Sequence, residues 1–161
     1  MVISPTTWTL TPEDEQALRQ GMERLLQECS AQCAMLVDRG GQLLVQAGER
    51  PAFDATTFAT LTAADFSAND QLAKMIGEPE FASLVHQGEK ESMFLADVAK
   101  RVILVVLFDK RATLGLVKLK AKAAVEQLNK VFEEMFNRVG TGPTQPGLLE
   151  GAEDEIDKLF G

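Results

Sequence analysis

The apolar positions of this chain change period along its length, and each change marks a predicted element. From Val102 to Phe108 seven consecutive apolar residues, four of them β-branched, lie between Lys100-Arg101 and Asp109-Lys110-Arg111. Without in/out alternation, and too short for a typical helix, this run predicts a central strand buried on both faces. Upstream, Leu18, Met22, Leu25, Leu26 and Cys29 recur at helical spacing behind Thr11, Pro12 and three acids. Those residues match an N-cap, a first-turn proline and dipole-compensating carboxylates, so a helix is expected from Pro12 to the Ser30-Ala31-Gln32 stretch. Cys33–Asp38 and Gln42–Ala47 are β-type runs joined at Arg39-Gly40-Gly41, the pattern of a hairpin.

Asp54 can cap a second helix over Ala55–Ile76, stopped by Gly77 and Pro79. Its expected apolar contacts are Phe58, Leu61, Ala68, Leu72, Met75 and Ile76. Ala63, Ala64, Ser67 and Ala68 put four short side chains within two turns, which suits either close packing on the chain's own sheet or a subunit or partner interface. Phe81–Gln87 and Ser92–Val98 read as two further strands turning at Gly88, the first of mixed polarity suited to a sheet edge. Thr113 opens the longest helix, to about Val139, with Leu114, Val117, Ala121, Leu128, Phe132 and Met135 on its apolar stripe.

Residues 140–147 combine Gly, Pro and Thr without apolar period and are expected to form a flexible linker. Beyond it, Leu148, Leu149, Ala152, Ile156, Leu159 and Phe160 share one helical face while five acids occupy the rest. A segment this short is marginal alone and would dock by folding on a partner or on its own domain. The expected fold is thus α+β, a five-stranded antiparallel sheet with helices on both faces. Its divisions are a lead at 1–11, a domain at 12–139, the linker, and a C-terminal acidic amphipathic helix at 148–161.

Charge narrows the function. A net charge of −8 argues against generic attraction to nucleic acid or anionic membrane. Locally the balance reverses: from Lys100 to Arg138 nine basic residues face four acidic ones. Lys118, Lys120, Lys122 and Lys130 on the last helix fit either a solvated face or an acidic partner. The N-terminus lacks the form of a signal peptide and no apolar run reaches membrane-spanning length, so a cytosolic protein is expected. Cys29 and Cys33 read as reduced thiols, since their spacing matches neither a redox pair nor a zinc knuckle. The sole histidine, His86, has no nucleophile in a recognisable setting, and no phosphate loop or dinucleotide fingerprint occurs. No catalytic, cofactor-binding or metal-binding residue is assigned.

The order helix, hairpin, helix, three-strand meander, helix resembles the roadblock/dynein light chain domain. Leu61-Thr-Ala, the Leu72–Phe81 segment, His86-Gln-Gly-Glu, Val102–Asp109, Leu114–Leu119 and the tail Glu155–Phe160 are similar to the bacterial MglB branch of that family. The resemblance implies a homodimer, without an active site of its own, that binds a small Ras-like GTPase of the MglA type. It also implies stimulation of GTP hydrolysis, a part in bacterial cell polarity and gliding motility, and a cytoplasmic location that extends to a cell pole. It further implies that the second helix lies across the dimer face, that edge strands pair between protomers, and that the tail docks on the GTPase and is associated with nucleotide exchange.

Partner contacts are accordingly expected at Ala64, Ser67, Ala68 and Gln71 on the second helix, with Lys118 and Lys122 as candidates on the third. Ile156, Leu159 and Phe160 are the expected anchors of the tail. Arg39, Arg50, Arg101 and Arg111 would be exposed candidates for an inserted arginine, but members of the family it resembles are not thought to use one. Two other readings stand beside this one: a structural adaptor on the same fold that leaves nucleotide turnover unchanged, and a small-molecule sensor with a pocket between helix and sheet.

Overall fold

The computed structural model describes residues 9–141, with side chains through Arg138. Three helices and five strands follow in the order α1 (Pro12–Cys29), β1 (Cys33–Asp38), β2 (Leu43–Gly48), α2 (Ala55–Met75), β3 (Ser83–Gln87), β4 (Glu91–Val98), β5 (Val102–Asp109) and α3 (Leu114–Thr141). The first eight residues, most of the expected linker and the expected tail helix, with Ile156, Leu159 and Phe160, lie outside the described residues. Gly140 and Thr141, expected in the linker, belong to the last turn of α3.

The strands form one antiparallel sheet in the order β2-β1-β5-β4-β3, so the continuous apolar run is the central strand, as its pattern implies. Register explains why it lacks alternation. Val106 lies between Ala34 and Phe94 in a row facing α1 and α3, while the adjacent row, Met35, Val105 and Leu95, faces α2. Each successive residue of β5 therefore enters a different core. On the α1/α3 side, Leu18, Met22, Leu128 and Phe132 pack against Leu36, Leu104 and Phe108. The opposite core is smaller, with Phe66, Ala59 and Ala63 of α2 over Met35, Ile103 and Val105.

Helix α1 begins as expected. Thr11 Oγ1 accepts from the Asp14 amide at 3.1 Å, and the Asp14 carboxylate accepts from the Thr11 amide at 3.2 Å, a reciprocal capping box. Arg138 near the end of α3 also donates to Asp14, which ties the two helices together. Burial alone would raise the Asp14 carboxyl above 3.8, but the Arg138 and Thr11 hydrogen bonds outweigh it and hold the carboxyl below that value.

The apolar contacts expected of α2 need correction. Leu61, Leu72, Met75 and Ile76 are exposed, as is Ala68, and only Phe58 among the six is partly buried. The residues that meet the sheet are Ala59, Thr62, Ala63, Phe66, Asn69 and Ala73. The helix carries apolar residues on two opposite sides, so helical period alone does not choose the inward one. Small side chains turn inward because they let the helix backbone sit close to the sheet. The hairpin turn approaches closely as well: Gly41 has φ 93°, and a Cβ there would lie 3.0 Å from the Cα of Thr60.

Candidate interaction surface

The outward side of α2 carries Leu61, Ala64, Ala68, Leu72 and Met75, a stripe at successive intervals of three or four residues. Met75 is 82 % exposed and Leu61 63 %. Ser67 and Gln71 flank the stripe and are exposed too. The structure thus brings together all four contact residues expected on this helix, and adds Leu61, Leu72 and Met75, which the sequence pattern assigned to the core. Ala63 separates from its small neighbours and packs inward. A short-residue strip edged by large apolar side chains leaves room for a close-packed partner, with Leu and Met at its margins to bury.

This stripe borders a sheet edge. Among the described residues β3 pairs with β4 alone, so its other side presents backbone donors and acceptors. His86 Nε2 on β3 lies 2.6 Å from Asp65 Oδ2 on α2, which joins strand and helix at that edge. The opposite edge, β2, is treated differently. Arg19 of α1 donates to the Gln46 carbonyl, and Arg19 and Glu23 line a polar cleft of about 300 Å³ beside the strand. An open groove of about 350 Å³ lies at the start of α2, between Phe53, Phe58, Met93, Leu107 and the β3–β4 turn.

Lys118 and Lys122 are exposed on α3, on the other side of the sheet from α2. The structure therefore does not bring them into the same surface as Ala64 and Ala68. Neither makes an ion pair with another described residue, whereas Lys120 reaches Glu28 at 3.7 Å.

The four arginines are not equivalent. Arg39 is bound to Asp70 and Asp97, Arg101 lies over the Phe136 ring at 4.6 Å, Arg111 pairs with Asp109 at 3.1 Å and with Glu49 at 3.6 Å, and Arg50 is exposed at the polar cleft beside β2. Both cysteines are free and buried; burial, then the Glu49 charge, pushes the Cys33 thiol up to about 11, and burial likewise raises that of Cys29. Among the described residues no group of three or more His, Cys, Asp or Glu is placed to hold a metal, and no helix is long and apolar enough to cross a membrane.

The Roadblock/LC7 domain is matched over residues 21–108. Among solved structures, Myxococcus xanthus MglB is 43% identical, covers 73% of this chain and 95% of its own, and superposes with a TM-score of 0.70. The gliding protein MglB of Thermus thermophilus is 33% identical over 82% of this chain and 99% of its own, with a TM-score of 0.76. An uncharacterised protein of Methanocaldococcus jannaschii is 31% identical over 100 residues, 62% of this chain and 85% of that protein.

Proposed function

The chain belongs to the Roadblock/LC7 domain family, and from that premise we propose that it is a homodimeric regulator that activates a small Ras-like GTPase of the MglA type in the cytoplasm. The observation that carries this reading is the exposed α2 stripe from Leu61 to Met75 together with a β3 edge that no other described strand covers. Two copies pairing through β3 would continue the sheet and set two such helices side by side, doubling the surface offered to one GTPase. The likeness to MglB proteins over most of the chain supports a role in gliding motility and cell polarity.

The chemistry proposed is positional. Arg39, Arg101 and Arg111 make contacts within the fold while Arg50 is exposed, and the likeness to the MglB branch supports a reading in which the dimer holds the GTPase's own catalytic groups around the γ-phosphate without inserting an arginine. The acidic segment 148–161 is assigned to a second contact on the GTPase, with Ile156, Leu159 and Phe160 as anchors and nucleotide exchange as its effect. Lys118 and Lys122, facing away from α2, would serve an acidic partner separate from the switch surface.

Adding the purified protein to an MglA-type GTPase loaded with GTP should accelerate phosphate release. Deleting 148–161 should leave that acceleration and slow nucleotide exchange. A GTPase that binds tightly yet releases phosphate at its basal rate would make the protein an adaptor instead.

A further inference from the structure

Helix α2 is the proposed docking element, yet it rests on the sheet through mostly small side chains, and Phe66 is its only large side chain that is fully buried. Small contacts allow close approach but do little to stop a helix from sliding or tilting. Polar contacts add restraint: besides the Asp65–His86 contact to β3, a bridge centred on Arg39 ties the helix to the sheet. Arg39, in the turn after β1, places its guanidinium 4.7 Å from the centre of the Phe66 ring. From there Nη1 donates to Asp70 Oδ2 on α2 at 2.6 Å, and Nη2 donates to Asp97 Oδ1 on β4.

Both ends of this bridge are anchored in backbone. The Arg39 amide donates to the Arg101 carbonyl at 3.1 Å, and the second oxygen of Asp97 accepts from the Lys100 amide at 3.1 Å. That amide belongs to a turn in which Ala99 and Lys100 both take positive φ, 54° and 65°, so Asp97 is held by strained local geometry at the end of its strand. The three charged side chains are one-third exposed or less. Their net charge is −1, so without the guanidinium two carboxylates from different elements would share one partly buried site and repel each other.

We propose that Arg39 is the positioning residue of α2: a single guanidinium joins Asp70 of the helix to Asp97 of the sheet and fixes how the helix's outer face is presented. Losing Arg39 should loosen α2 more than losing Asp70, and removing Asp70 from a chain already lacking Arg39 should tighten the helix again.

Amide hydrogen exchange on the whole protein reads this directly. Arg39→Met should speed exchange over residues 66–75 roughly tenfold, with β1 and β5 unaltered. Arg39→Met/Asp70→Asn should return most of that rise, and Arg39→Lys should fall between, since an ammonium keeps the charge without the flat, forked geometry. Should Arg39→Met fail to fold, Asp70→Asn in the unaltered background still tests the link and should speed exchange in α2 alone. Exchange in α2 that is unchanged by Arg39→Met or Asp70→Asn, or a double variant looser than Arg39→Met, would overturn the assignment.

The link to docking rests on the function proposed above and has its own readout. Arg39→Met should raise the concentration of this protein giving half-maximal phosphate release about tenfold, leaving the rate at saturation intact. A lowered saturating rate with unchanged half-maximal concentration would contradict positioning. Loss of α2 as the docking face would instead appear as an Ala68→Arg variant that still binds, with the exchange results untouched.

Discussion

On one face of the sheet Leu18, Met22, Leu128 and Phe132 of α1 and α3 interlock with alternate residues of β1, β4 and β5; on the other, α2 meets the sheet through alanines, Thr62, Asn69 and one fully buried phenylalanine ring. The first face has two helices tied to each other at Asp14 and Arg138, and its outer surfaces are polar apart from Leu116 and Leu119 of α3. The second has one helix, pinned by a charged bridge, whose outer surface is apolar. The difference separates two tasks: a large core stabilises the domain, and a lightly held helix displays surface still available for burial.

The largest effect that would break this division is in the large core. Phe132→Ala should cost about 3–5 kcal/mol and lower the denaturant midpoint of the whole domain, including α2. A loss confined to α3, with the remainder melting as before, would mean that the two faces do not share one cooperative core.

Next comes the tie between α1 and α3. Asp14→Ala removes the carboxylate half of the capping box and the Arg138 contact, leaving the bond from the position-14 amide to Thr11 Oγ1, and should cost about 1–2 kcal/mol at neutral pH. Its carboxyl is held below 3.8 in the folded chain, so the contribution is complete above about pH 5 and is lost as the pH falls through the folded value. Wild type and variant should therefore converge in stability in acid. A difference independent of pH would assign the effect to packing.

The smallest effects are expected for the thiols. With Cys33 raised to about 11 and both sulfurs buried, neither should react with a thiol reagent in the native protein on the timescale of exposed cysteine, and both should react after denaturation. Fast native labelling of Cys33 would show that β1 opens toward α2 more readily than the closed smaller core implies.

Much of the division was legible in the sequence, and the part that was not has a physical cause. Val102–Phe108 lacked alternation because both its faces are buried, and that is readable from seven residues. The stripes of α1 and α3 were legible because each has one apolar side. α2 has two, and Leu61, Leu72, Met75 and Ile76 look like core until the sheet is in place. A buried layer of Ala59, Ala63 and Ala73 has little hydrophobic signal, so the larger exposed residues dominate the pattern. Of the four clustered short residues, Ala64, Ser67 and Ala68 face outward and Ala63 packs on the sheet, so the cluster alone did not separate the two faces. The role of Arg39 was not legible, because its carboxylates lie 31 and 58 positions away and only the fold brings them to one guanidinium.

The exposed face of α2 is the proposed docking face for the GTPase. Its most direct test is equilibrium binding of an MglA-type GTPase to the Ala68→Arg variant, with stability and oligomeric mass measured on the same sample. A melting curve within about 0.5 kcal/mol of wild type, as for other exposed sites, an unchanged dimer mass and no detectable complex are expected. An Ala68→Arg dimer that binds the GTPase with wild-type affinity would contradict that role.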